Sequence, residues 1–150
     1  MSDTSTLQPA NPEYAEVVRA SFARQGMMRS FGARLAEIEP GRVAIELPYG
    51  EVVGQQQGLF HGGAIGALGD IAGGYAALSL MPAGSEVVTV EYKINFIRPA
   101  KGALLRAEGQ VLRAGKSVTV ARIDVSVVDG DKPTAVALLQ ATFMRVAATG

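Results

Sequence analysis

The chain has no cysteine and no tryptophan, and its only histidine is His61. Without cysteine there is no disulfide scaffold, no thiolate nucleophile and no zinc site built on Cys. A single imidazole also excludes metal sites that need two histidines. Charge is scarce: Asp, Glu, Lys and Arg make up 19% of the 150 residues, against about 25% in ordinary globular chains. Fourteen basic and fourteen acidic side chains cancel to zero net charge, which argues against general nucleic-acid binding, normally the property of a strongly basic domain. Hydrophobic residues reach 48%. One domain of this length is expected to keep apolar surface that a monomer does not hide, so an oligomer is expected.

Met1-Ser2-Asp3-Thr4 has neither the basic n-region nor the apolar h-region of a signal peptide, and a cytoplasmic location is expected. Leu59 to Met81 is about long enough to span a bilayer, but Asp70 near its centre would cost roughly 2.5–3.5 kcal/mol there. A buried helix is the better reading, with no membrane partner.

Asn11-Pro12-Glu13 reads as a helix start, with Asn as N-cap and Pro at the first helical position. That helix is expected to run to about Gln25-Gly26, inside an N-terminal extension over 1–30 that precedes the main domain, 31–150. Arg34–Glu39 and Arg42–Leu47 flank Pro40-Gly41 as a hairpin. After the apolar helix the period changes from 3.6 to 2. Val88, Val90, Tyr92, Ile94 and Phe96 alternate with Thr89, Glu91, Lys93 and Asn95, the pattern of a strand with one buried face. Ala103–Arg113, Val118–Val128 and Ala135–Val146 follow as strands, joined by turn residues around Gly115 and Gly130. The order predicts an α+β domain whose antiparallel sheet curves around one long helix.

The segment from Gly58 to Asp70, GLFHGGAIGALGD, is the most informative. Six glycines (62, 63, 66, 69, 73, 74) fall within the apolar helix, each costing about 1 kcal/mol relative to Ala. They require a return, such as close backbone approach or exposed N–H groups. Gly62 and Gly63 stand where the helix begins, at unpaired N–H groups and the positive end of the dipole. Such a place can polarise a carbonyl oxygen. Asp70 is the one ionisable group in the following turns, either a structural acceptor or a functional carboxylate. It lies eight residues beyond Gly62, about 12 Å along a helix. The two cannot serve one reacting carbonyl unless the acid comes from a second, antiparallel copy across a two-fold axis.

This segment resembles the hotdog-fold acyl-CoA thioesterases of the phenylacetate-pathway type, which share His-Gly-Gly with an acidic residue eight positions after the first Gly. The resemblance covers roughly residues 30–146 and includes the strand TVEYKINFIRP from Thr89 to Pro99 and the turn Arg113-Ala-Gly115-Lys116. It implies a hotdog fold and hydrolysis of acyl-CoA to free acid and CoA, without metal or organic cofactor, in a homodimer or a dimer of dimers. It further implies that the Gly62 N–H polarises the thioester carbonyl and that Asp70 is nucleophile or general base. Thr89 would help place the water. Gln55 stands where the family often has Asn, and could bind water or substrate. His61 and Gly63 belong to the substrate-binding turn, where the imidazole is expected to orient the loop rather than transfer protons.

From Tyr92 to Arg122 there are seven cations and one acid, Glu108, a local asymmetry suited to a phosphorylated partner such as CoA. Arg98, Arg113 and Lys116 are the candidate phosphate contacts. Two other readings use the same fold. A hydratase or dehydratase needs a His paired with an acid in another arrangement, and an acyl-CoA sensor of the known kind carries a DNA-binding module, for which residues 1–30 leave space for one helix only.

Overall fold

A computed structural model of the chain describes residues 7–149. Two short helices, α1 (Tyr14–Ala23) and α2 (Gly26–Phe31), precede the hairpin β1 (Arg34–Glu39) and β2 (Arg42–Pro48). One 3-10 turn, Glu51–Val53, leads to the long helix α3 (Gly62–Leu78). Strands β3 (Ser85–Phe96), β4 (Leu104–Ala114), β5 (Val118–Asp129) and β6 (Lys132–Ala147) complete the chain. The six strands form one antiparallel sheet in the order β1-β2-β4-β5-β6-β3, and α3 packs against β2 through β6. No helix among the described residues is long and apolar enough to cross a membrane.

The N-terminal region differs from the single helix expected. Asn11 accepts a hydrogen bond from the Glu13 N–H at 3.0 Å, an Asx turn that places the helix start later, at Tyr14. Gly26 opens α2 instead of ending α1, and Gly32, with φ of +77°, closes α2. The boundary expected after residue 30 therefore falls inside α2. Val18 of α1 and Met28 of α2 are fully buried, so these helices supply core residues.

The helix glycines have a packing cause. A Cβ at Gly66 would lie 3.1 Å from the Tyr92 hydroxyl, at Gly69 2.9 Å from Leu139, and at Gly73 2.8 Å from Ile123. Large side chains of the sheet thus rest directly on the helix backbone. The tightest approach comes from the other side: a Cβ at Gly109 of β4 would be 2.5 Å from the Ala72 carbonyl oxygen and 2.7 Å from the Gly73 nitrogen. Around this contact β4 and β5 alternate buried and outward residues, Leu105, Ala107 and Val111 with Ala121, Ile123 and Val125 facing inward.

β3 departs from the expected alternation. Thr89 pairs with Phe143, but Glu91 pairs with Thr142, so Val90 is an extra residue in a β-bulge and the side-chain phase flips there. Thr89 consequently shares the inward side with fully buried Phe143. Beyond the bulge Tyr92 and Phe96 face α3, beside Gly66 and Gly62. The predicted buried face is only partly covered: Ile94 packs on the core, while Val90 and Phe96 are each 54% exposed. β3 is an edge strand, and this is where the apolar excess of the composition surfaces.

Gly109→Ala tests the helix–sheet contact. The clash is with backbone, which cannot rotate away, so destabilisation at or above the upper end of the usual 1–3 kcal/mol for overpacking is expected in urea unfolding. Gly50→Ala, at an extended glycine with nothing nearby, should stay within about 0.5 kcal/mol of wild type.

Candidate active site

The chain enters α3 through a braced loop. Gly54 and Phe60 form a β-bridge, the His61 N–H donates to the Val53 carbonyl at 2.8 Å, and the Phe60 N–H to the Ala100 carbonyl at 2.9 Å. Inside the loop, the Gln55 side-chain oxygen accepts from the backbone N–H groups of Gln57 and Leu59, and its amide donates to Gln57. Gln55, expected to hold water or substrate, is thus engaged in shaping the turn before the helix.

His61 is the N-cap of α3. Its Nδ1 accepts the Gly63 N–H at 2.8 Å, which places the ring proton on Nε2. This agrees with an orienting histidine, and it takes the Gly63 N–H out of use. Among the described residues the Gly62 N–H has no protein acceptor, and it lies at the positive end of a 17-residue helix. A Cβ at Gly62 would be 3.2 Å from the Phe96 ring, so the aromatic side chain closes on the turn at that point. Leu59, Phe60, Gly62, Phe96 and Arg98 line one apolar groove here. The Phe60 ring is fixed from behind by an edge-on contact with Tyr49 at 5.2 Å between centroids.

Asp70 lies two turns further along, half-buried. Thr89 Oγ1 donates to Asp70 Oδ1 at 2.7 Å, a contact that exists because the bulge at Val90 turns Thr89 inward. Burial pushes the Asp70 carboxyl above its ordinary pKa, and the Thr89 hydrogen bond pulls it partly back. The hydroxyl of Thr89 orients the acid while its oxygen lone pairs stay available to a water.

Gly62 and Asp70 are on one straight helix and are not brought together within the chain. The three candidate phosphate contacts are divided as well. Arg98 is at the Gly62 end, donating to the Ala135 carbonyl at 3.0 Å. Lys116 lies in a groove with Ala77 and Met81 at the opposite end of α3, and Arg113 is exposed near the end of β4. Those ends are about 24 Å apart by helical rise. The basic run is also less available than its sequence suggests. Arg106 is paired with Glu37 at 2.7 Å and Glu46 at 3.0 Å, and Arg122 with Asp124 at 3.1 Å, on the outward face of the sheet. Arg145, beside Lys116, is a neighbouring cation that the linear run did not include.

Sequence reasoning missed a polar cluster next to the acid. Ser21 of α1, Gln25 at the N-cap of α2, Tyr75 of α3 and Glu86 of β3 share a pocket with Asp70 and Thr89. The Tyr75 hydroxyl lies 3.0 Å from Ser21 Oγ and 3.1 Å from Gln25 Nε2. Ser21 lies in the last turn of α1 and Gln25 in the link to α2, and nothing local says which element they meet.

The Asp70 environment makes a signed prediction. Because folding raises its pKa, the native state holds more protons than the unfolded chain between the two values, and stability declines as pH rises through that window. Asp70→Asn should therefore be at least as stable as wild type at pH 7, with an advantage that shrinks as pH falls toward about 4. Urea unfolding at several pH values reads this. A variant less stable at pH 7 would mean that the Thr89 hydrogen bond outweighs burial.

The model of the Thioesterase superfamily matches residues 57–134, which contain the helix start, Asp70 and Thr89. A Saccharolobus solfataricus protein provisionally named an esterase is 40% identical over 97 residues, covering 65% of this chain and 69% of the relative. A thioesterase family protein from Silicibacter pomeroyi superimposes with a TM-score of 0.87 at 39% identity, over 90% of this chain and 99% of that one. The Escherichia coli PaaI protein from the phenylacetic acid degradation operon shares the fold, with a TM-score of 0.81 at 23% identity, over 93% of this chain and 98% of that one. With its six-stranded antiparallel sheet closed on one long helix, the chain belongs to the Thioesterase superfamily and has the hotdog fold.

Proposed function

We infer that the protein hydrolyses acyl-CoA thioesters to free acid and CoA in a site shared between two copies of the chain. The observation that carries the reading is the separation on α3: an open N–H at Gly62 and a half-buried acid, Asp70, about 12 Å further along the same helix. Each half lacks the other. The unpaired edge of β3, with Tyr92 and Phe96 exposed on the side that faces α3, supports the pairing. Antiparallel addition of a second β3 would continue the sheet, cover this apolar stripe and set two α3 helices side by side in opposite directions. Gly62 of one copy then approaches Asp70 of the other, twice per dimer.

In this arrangement the thioester carbonyl accepts from the Gly62 N–H, whose dipole favours the negative charge that develops on oxygen. Asp70 of the second copy either takes a proton from the attacking water or attacks the carbonyl carbon itself, giving after loss of the thiolate an acyl-aspartyl anhydride that water hydrolyses to free acid and Asp70. The C–S bond breaks as the tetrahedral intermediate collapses, and the CoA thiolate is protonated from solvent. Thr89 fixes the carboxylate and offers its oxygen to the water. Arg98 and Lys116 are on opposite ends of α3, so a phosphate-bearing ligand would draw on one end from each copy.

Thiol release from a panel of aliphatic and aromatic acyl-CoAs tests the chemistry. Wild type should turn over at least one of them, and Asp70→Asn should lose at least about a hundredfold in kcat, the lower range for a general acid–base group. Equal rates would remove Asp70 from the mechanism, and binding without turnover would favour the sensor reading. Mixing Asp70→Asn with Gly62→Val should restore activity in hybrid dimers that hold one intact site. Hybrids that form and stay inactive would place both groups in the same copy.

A further inference from the structure

We propose that the pocket between α1 and α3 selects the acyl group, and that Ser21 and Gln25 favour acyl chains with a neutral hydrogen-bonding group near their far end. The inference rests on the thioesterase reading, since it takes Asp70 as the point where the reacting carbonyl is held.

The pocket begins at Asp70 and Thr89 and ends at Ser21, Gln25 and Tyr75. Asp70 and Tyr75 are five residues apart on α3, a rise of about 7.5 Å, so an acyl group leaving the carbonyl along this wall reaches Tyr75 after roughly six carbons. A pocket made for a plain hydrocarbon would end in apolar side chains; this one ends in three polar ones. Their bonding determines what they can offer. The Tyr75 hydroxyl is engaged by Ser21 Oγ at 3.0 Å and by Gln25 Nε2 at 3.1 Å, and its ring is fixed edge-on against Phe22 at 6.1 Å. Tyr75 is therefore a positioning residue. Gln25 keeps its side-chain carbonyl oxygen as an acceptor, and Ser21 keeps a donor hydrogen whenever Tyr75 donates to it. Together they suit a hydroxyl or a carbonyl. Inserting a methyl group between them would leave these half-buried polar atoms without water or partner, a penalty typical of sites built to bond a substrate hydroxyl.

Charge narrows the class. Asp70 and Glu86 both line the pocket, and Glu86 has only a distant cation, Arg24 at 3.7 Å. An acyl chain ending in a carboxylate would meet two acids and one weakly placed arginine. Neutral ends are accepted and anionic ends rejected.

The test uses CoA analogues in which CH2 replaces the thioester sulfur, so that binding is read without turnover. The hexanoyl, 6-hydroxyhexanoyl and adipoyl forms are titrated by calorimetry into wild type, Gln25→Met and Ser21→Ala. Wild type should bind the hydroxylated analogue about tenfold more tightly than hexanoyl, the worth of roughly one well-made hydrogen bond, and adipoyl more weakly than hexanoyl. Each substitution should bring the hydroxyl-to-hexanoyl ratio toward one, with weaker binding of the hydroxylated analogue and hexanoyl bound as tightly as by wild type or more tightly. Equal affinities in wild type, or a preference that survives both substitutions, would overturn the proposal. Cleavage of hexanoyl-CoA is assayed in parallel. Cleavage without hydroxyl preference refutes the pocket and spares the function, whereas preference without cleavage of hexanoyl-CoA or of any member of the acyl-CoA panel supports the pocket and refutes the function.

Discussion

The architecture depends on how closely one strand meets one helix. Gly109 of β4 stands where any Cβ would run into the Ala72 carbonyl and the Gly73 nitrogen, so the sheet lies against the bare backbone of α3. Once that distance is set, the other glycines of α3 are required where Tyr92, Leu139, Ile123 and Phe143 come down on it. These glycines weaken the helix as an isolated segment. Their value appears only when the sheet is wrapped around it, because dispersion and burial scale with close contact.

That packing also disposes the chemistry. A helix pressed into a sheet along most of its length is open at its start and along the stripe that runs toward β3. Gly62 is at the first and Asp70 on the second. The His61 cap satisfies the Gly63 N–H and leaves the neighbouring one for a ligand, while the bulge at Val90 delivers Thr89 to Asp70. Helix geometry keeps Gly62 and Asp70 apart, and the apolar edge of β3 supplies a reason for a second copy to bring them together.

Zero net charge conceals two different surfaces. The outward face of β1, β2 and β4 carries a network in which Arg42, Arg106 and Arg34 are paired with Glu37, Glu46 and Glu108. Exposed pairs of this kind are individually worth little, but they neutralise part of the basic run between Tyr92 and Arg122. Arg98 and Lys116 lie outside that network, at the two ends of α3, and Arg113 outside it near the end of β4.

The residues themselves determined a good deal. Periodicity marked the long helix and the later strands, turn chemistry marked the hairpins, and glycine spacing with a lone acid marked Gly62 and Asp70, because each of these signals is local. Other features were illegible for an equally physical reason. Gly26 reads as a helix end and opens a second helix instead, since its outcome depends on how Met28 enters the core. Alternation assigned Thr89 to the polar face of β3, and only pairing with β6 reveals the bulge that reverses it. The hydrogen bonds by which Gln55 shapes the loop before α3 were not legible either. Ser21, Gln25 and Tyr75, more than fifty positions apart in part, meet only because α1 folds onto α3. The sequence by itself determined which elements form and where the candidate groups, Gly62 and Asp70, stand along them. The tertiary structure decided which faces those groups share, because contacts between distant segments are set by packing and not by neighbouring residues.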